Sequence, residues 1–176
     1  MLTVLDKTFE PFIGRDELQS RISELADQIN RDYAGRCPLV VGVLNGAVLF
    51  TADLLKNLTI DCEITFIRVS SYEQTASTGK IKQILGLTEA IAGRDLIVVE
   101  DIVDTGLTIS NVCRQLAEKE PASIAIATLL FKPSALQTKV DLTYVGFEIE
   151  NKFVVGYGLD YEGLGRNTKD IFVLKA

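Results

Sequence analysis

Residues 98–108 read VVEDIVDTGLT. An apolar run leads straight into two adjacent acids, Glu100 and Asp101. A third, Asp104, comes three residues later, and Thr105, Gly106, Leu107 and Thr108 then open a helical pattern. Carboxylates at the carboxyl end of a strand can accept hydrogen bonds from a sugar diol, and open α/β sheets bind their ligands at that end. The turn beyond offers backbone N–H groups and hydroxyls at a helix N-terminus, a natural phosphate site. Gly106 lacks the Cβ that would hold a phosphate away from the backbone. A single acid would suffice to cap the following helix; three exceed that need. The loop is not a Walker A motif, because Gly-Lys-Ser/Thr is missing, and no Gly-x-Gly-x-x-Gly follows a strand.

The chain has no histidine. Ser-His-Asp and Cys-His catalysis are therefore excluded, as are most catalytic zinc sites. Proton transfer falls to carboxylates, Lys, Tyr or substrate groups. The three cysteines, Cys37, Cys62 and Cys113, are scattered with no CxxC, and read as reduced thiols near the core.

The elements that must position these groups follow from hydrophobic period. Leu18, Ile22, Leu25 and Ile29 have helical spacing, with Asp16 as N-cap and Gly35 as stop. Residues 39–44 (LVVGVL), 96–99 (LIVV) and 123–130 (SIAIATLL) are continuous apolar runs, as expected for strands buried on both faces. Helices are expected at 47–58 and 107–118, and further strands around 64–69, 81–87, 144–147 and 153–157. The polar stretch 70–80 reads as a mobile loop. Strands alternating with helices predict an α/β fold, a parallel sheet flanked by helices.

At 176 residues the chain fits one domain, and a net charge of −6 gives a nucleic-acid partner a low prior. The N-terminus lacks the basic-then-apolar order of a signal peptide, and the longest apolar stretch is too short to span a bilayer. A cytoplasmic protein is the expectation.

The stretch 98–108 resembles the phosphoribosyl pyrophosphate (PRPP) signature of the type I phosphoribosyltransferases. Residues 43–47 (VLNGA) resemble the pyrophosphate loop of the hypoxanthine-guanine branch. Ser71 and Tyr72, with Ser77, Thr78 and Gly79, resemble its flexible closing loop. Residues 129–132 (LLFK) resemble its purine-contacting segment, and 145–161 with Arg166 its C-terminal hood. The resemblance implies one domain with a core at about 36–140 and a hood from about 1–15 and 141–176.

It further implies that Glu100 and Asp101 contact the ribose, directly or through Mg2+, and that Asp104 is the general acid/base. Residues Asp104, Thr105, Gly106, Leu107 and Thr108 would hold the 5′-phosphate. Leu44, Asn45, Gly46 and Arg166 would hold pyrophosphate. Lys132, Phe153, Val154, Leu159 and Asp160 would surround the purine, with Asp160 also a metal ligand beside Glu100 and Asp101. A cis peptide is implied at Leu44-Asn45. Asn45 departs from the pattern: many relatives carry Lys there, so a cation is missing.

The implied reaction converts hypoxanthine or guanine and PRPP to IMP or GMP and pyrophosphate. It needs no nucleic acid and no membrane, in a homodimer or homotetramer. Two alternatives share the scaffold, a xanthine-preferring enzyme and a PRPP-sensing regulator that binds nucleic acid.

Overall fold

The computed structural model describes residues 1–72 and 81–175. In chain order it contains β1 (Leu2–Val4), β2 (Lys7–Ile13), α1 (Arg15–Asp32), β3 (Leu39–Leu44), α2 (Val48–Asn57), β4 (Glu63–Tyr72) and β5 (Ile81–Leu85). There follow β6 (Asp95–Val103), α3 (Leu107–Ala117), β7 (Ser123–Phe131), β8 (Tyr144–Glu148), β9 (Val154–Val155) and β10 (Ile171–Leu174).

The large sheet has the order β5-β4-β3-β6-β7-β8. Its pairs from β4 to β8 are parallel, and β5 is an antiparallel edge. The expected parallel α/β sheet is therefore present. From β3 the chain moves outward to β4 and β5, then returns to lay β6 against the other side of β3. This reversal opens a crevice at the carboxyl ends of β3 and β6, where such sheets bind ligands.

Alternation along the strands divides the core in two. Val40, Ile97, Val99, Ala127 and Leu129 pack with Leu18, Ile22, Leu25 and Ile29 of α1 and with Phe50 and Leu54 of α2. Leu39, Val41, Val43, Leu96, Val98 and Ile126 pack with Ile109, Val112 and Leu116 of α3. Each fully buried Leu or Ile contributes roughly 1.5–3 kcal/mol, so the two faces fix β3 and β6 firmly beneath the crevice.

A second, antiparallel sheet, β1-β2-β10-β9, joins both ends of the described chain. Val4, Phe9 and Val155 form its buried cluster. The hood was expected to begin near 141, but Tyr144–Glu148 pairs with β7 in the large sheet, because its apolar side chains cover the far edge of the α1 face.

Other local expectations need correction. Gly14, not Asp16, is the N-cap of α1; Asp16 sits in the first turn, where the helix dipole favours an acid. Residues 70–72 are not loop but the end of β4, paired with β5; the remainder of the expected loop, 73–80, lies outside the described residues. Cys37 is exposed rather than near the core. Among the described residues no helix is long and apolar enough to cross a membrane.

Candidate functional site

The crevice is built where β6 outruns its apolar stretch. Glu100 and Asp101 still belong to the strand, and each side chain accepts from the next backbone N–H: Asp101 N to Glu100 Oε1 at 3.2 Å and Ile102 N to Asp101 Oδ1 at 2.8 Å. These short-range bonds hold the carboxylates at the strand end. A cavity of about 290 Å³ follows the chain from Glu100 through Asp104, Thr105 and Thr108 to Ile109.

The helix that opens there is not capped by an acid. Its N-cap is Gly106, with φ 79° and no side-chain cap bond, so Asp104 is left to the cavity. Gly106 is also required by its protein neighbours. A Cβ there would lie 2.8 Å from the Thr138 carbonyl oxygen and 2.9 Å from Leu136 Cδ1. The close approach is to the segment after β7, whose Gln137 and Thr138 N–H groups both donate to Thr105 O.

Lys132 follows β7 as Asp104 follows β6. Val103 and Phe131 are register partners, and Lys132 N donates to Val103 O at 2.9 Å. Lys132 is 6% exposed, yet its Nζ reaches Asp104 Oδ2 at 3.2 Å. A lysine that could have been a solvated strand tip is instead a buried cation aimed at the cavity acid.

Residues 44–46, past the end of β3, abut Asp101 beside this cavity. Leu44-Asn45 is a cis peptide, as expected. Gly46 lies so close to Asp101 that a Cβ would overlap its carboxylate, and a Cβ on Gly158 would overlap the Gly46 carbonyl oxygen. The loop is thus clamped between β6 and the hairpin after β9. Desolvation there pushes the Asp101 carboxyl above its ordinary value; hydrogen bonding with Glu100, the Ile102 N–H and the nearby Arg166 guanidinium oppose the rise.

Arg166 is fixed to the same hairpin. It donates to Gly158 O at 2.6 Å, pairs with Asp160 Oδ1 at 2.6 Å, and its carbonyl accepts from Gly158 N. Asp160 Oδ2 accepts from Gly163 N. Glu100, Asp101 and Asp160 therefore do not form one carboxylate cage, and among the described residues no cluster of three potential ligands is gathered. The donor set fits a different mode: magnesium at phosphate sites uses one or two carboxylates and takes its other oxygens from substrate and water. Glu100 and Asp101 could supply such a pair.

The remaining expected residues divide. Phe153 is 43% exposed, with Phe9, Tyr161 and the Lys7 ammonium around it, so one part of the ring is open. Leu174 N donates to Phe153 O at 2.9 Å. Bonded pairs alternate in an antiparallel ladder, so the N–H and C=O of Val154 turn away from β10, towards the free edge of β9. Leu159 is buried in the core on the α1 and α2 face, and Leu107 is exposed at the helix start. Ser71 and Tyr72 pair through their backbones with Lys82 and Ile81. Tyr157 was read as a strand residue; it has φ 50° and directs its hydroxyl to Asp53 at 2.6 Å. Gly158 and Arg68, which shape the loop at 44–46, carry no motif signal.

Comparison with known proteins agrees with this geometry. The family model "Phosphoribosyl transferase domain" matches residues 14–162. The hypoxanthine-guanine phosphoribosyltransferase of Bacillus subtilis is 42% identical over 164 residues, covering 93% of this chain and 91% of that protein. The bifunctional protein TilS/HprT of Listeria monocytogenes is 44% identical over 164 residues, and the chain spans 25% of its length. The crystal structure of a hypoxanthine-guanine phosphoribosyltransferase from Bacillus anthracis superposes with a TM-score of 0.86 at 36% identity, covering 97% of this chain and 99% of that one.

Proposed function

Because the chain belongs to the phosphoribosyl transferase family, we propose that it is a cytoplasmic purine-salvage enzyme joining hypoxanthine or guanine to the ribose 5-phosphate of PRPP. The observation that carries this reading is the Lys132–Asp104 pair, whose acid lines the 100–109 cavity. A proton-accepting acid and an ammonium that can donate to a 6-oxo group are held side by side, next to a loop suited to a phosphate. An ammonium favours an acceptor at C6 and disfavours the 6-amino group of adenine.

In the proposed reaction the loop from Asp104 to Thr108 holds the 5′-phosphate, and Glu100 and Asp101 receive the ribose hydroxyls. The C1′–O bond to pyrophosphate breaks as N9 of the purine bonds to C1′, through an oxocarbenium-like state. Asp104 takes the proton released at N7. Arg166 and the backbone of 44–46 receive the departing diphosphate, Phe153 stacks on the base, and the outward groups of Val154 read its edge. Bound magnesium would neutralise charge growing on the leaving group. Ser71 and Tyr72 would close over the site from the end of β4. The domain division into a core and a terminal hood, and a homodimer or homotetramer, belong to the same reading.

The test is nucleotide formation from PRPP, magnesium and each of hypoxanthine, guanine, xanthine and adenine, followed by absorbance with an EDTA control. EDTA-sensitive formation of IMP or GMP is expected. No product with any base, in a protein that still binds PRPP, would overturn it.

A further inference from the structure

The wall of the crevice formed by residues 44–46 has an electrostatic problem. It is meant to receive a diphosphate, yet Gly46 is pressed against the Asp101 carboxylate and Asn45 brings no charge. The two cations described nearby already face anions, Arg166 the Asp160 carboxylate and Lys132 the Asp104 carboxylate. A third lies on β4. Arg68 is the parallel register partner of Leu44, one residue before Asn45, and its guanidinium donates to Asn45 Oδ1 at 2.9 Å. A neutral amide accepts this bond without cancelling the charge. The bond also fixes which way the Asn45 side chain turns, and so steadies the peptide groups on either side of it.

Resting on the proposed transferase reading, we propose that Arg68 is a positioning residue for the diphosphate: through Asn45 it holds the 44–46 loop and brings to it the positive charge that the loop itself lacks. Arg suits this task because its planar guanidinium keeps its charge at every working pH and can donate to the amide while other N–H groups remain directed outward. The same residue ties the loop to β4, the strand that carries Ser71 and Tyr72.

Steady-state kinetics of the full chain in both directions test this, with PRPP and hypoxanthine forward and IMP and pyrophosphate in reverse. Both partners are exposed, so Arg68→Gln should fold with an unchanged melting temperature. KM for PRPP and for pyrophosphate should each rise roughly tenfold, the scale of one lost charge-assisted hydrogen bond. KM for hypoxanthine should stay put. Arg68→Lys should recover part of the loss, and adding Asn45→Lys to Arg68→Gln should recover more by returning a cation to the loop. Unchanged KM values for PRPP and pyrophosphate in Arg68→Gln, beside an active wild type, overturn the inference alone. An equal rise for hypoxanthine, or a melting temperature lowered in step with activity, reduces Arg68 to a structural residue and overturns it too. A wild type inactive with every purine overturns the transferase reading itself.

Discussion

The ammonium of Lys132 stands 3.2 Å from the Asp104 carboxylate, and the two residues occupy equivalent places just past the ends of neighbouring strands. In the proposed reaction they part company: Lys132 turns to the purine oxygen and Asp104 to its proton. Truncation of Lys132 should therefore affect selection more than PRPP binding. For Lys132→Ala the preference for hypoxanthine over adenine, measured as a ratio of kcat/KM, should fall roughly tenfold or more. An unchanged ratio would remove Lys132 from base recognition.

Asp104→Asn tests the other half of the pair. The amide keeps the shape but accepts no proton, so turnover should fall roughly 10²–10⁴-fold, the usual worth of general acid–base catalysis. PRPP binding, followed by equilibrium titration, should survive. Since Gly106 and not Asp104 caps α3, the helix cap is untouched, and any fall in melting temperature should come from the lost ion pair with the buried Lys132 ammonium. A rate near that of the wild type would sink the proposed role.

Asp101 gives a prediction about pH. Its carboxyl is raised above the ordinary 3.8 by desolvation. The folded chain keeps a proton there that the unfolded chain has released, so stability falls as pH rises from 3.8 through the folded value, and stays lowered at neutral pH. Asp101→Asn removes that penalty. Its thermal midpoint should exceed that of the wild type at neutral pH, and the two curves should converge in acid below 3.8, even as turnover is lost. A midpoint below the wild type at neutral pH contradicts the sign.

Gly158 has φ 101°, and a Cβ there would overlap the carbonyl oxygen of Gly46. Gly158→Ala should cost about 1–3 kcal/mol in stability, read by chemical denaturation. The surviving folded protein should show a raised KM for PRPP, because the 44–46 wall must shift. Gly163→Ala is the control: its φ of 82° carries similar backbone strain, but nothing lies within 4 Å of the added methyl. Equal effects of the two on KM would argue against the clamp.

Much of the large sheet was legible because its signals are local. LVVGVL is β3, residue for residue, and the acids after LIVV do line a cavity at a strand end. The small sheet was harder. β2 contains Pro11 and alternates irregularly, and its partner β10 lies at the other end of the sequence, so no short window contains the pair. Gly106 has a second neighbour that no motif announces, since the Thr138 carbonyl it accommodates is brought there by the chain after β7. Arg68 and Gly158 could not be found by motif at all. Their importance lies in what stands beside them, Asn45 in one case and the Gly46 carbonyl in the other.

The outward turn of the Val154 peptide groups separates two kinds of heredity in the proposed base recognition. The Lys132 contact depends on a side chain, and one codon change rewrites it. The Val154 contact depends on ladder parity, which most substitutions at that position leave intact, proline excepted for want of an N–H. To revise it the chain would have to slide β9 by one residue against β10, which would exchange the inward and outward faces of the strand together. Drift in purine preference should accordingly collect around Lys132, while the edge of β9 holds to whatever base it already reads.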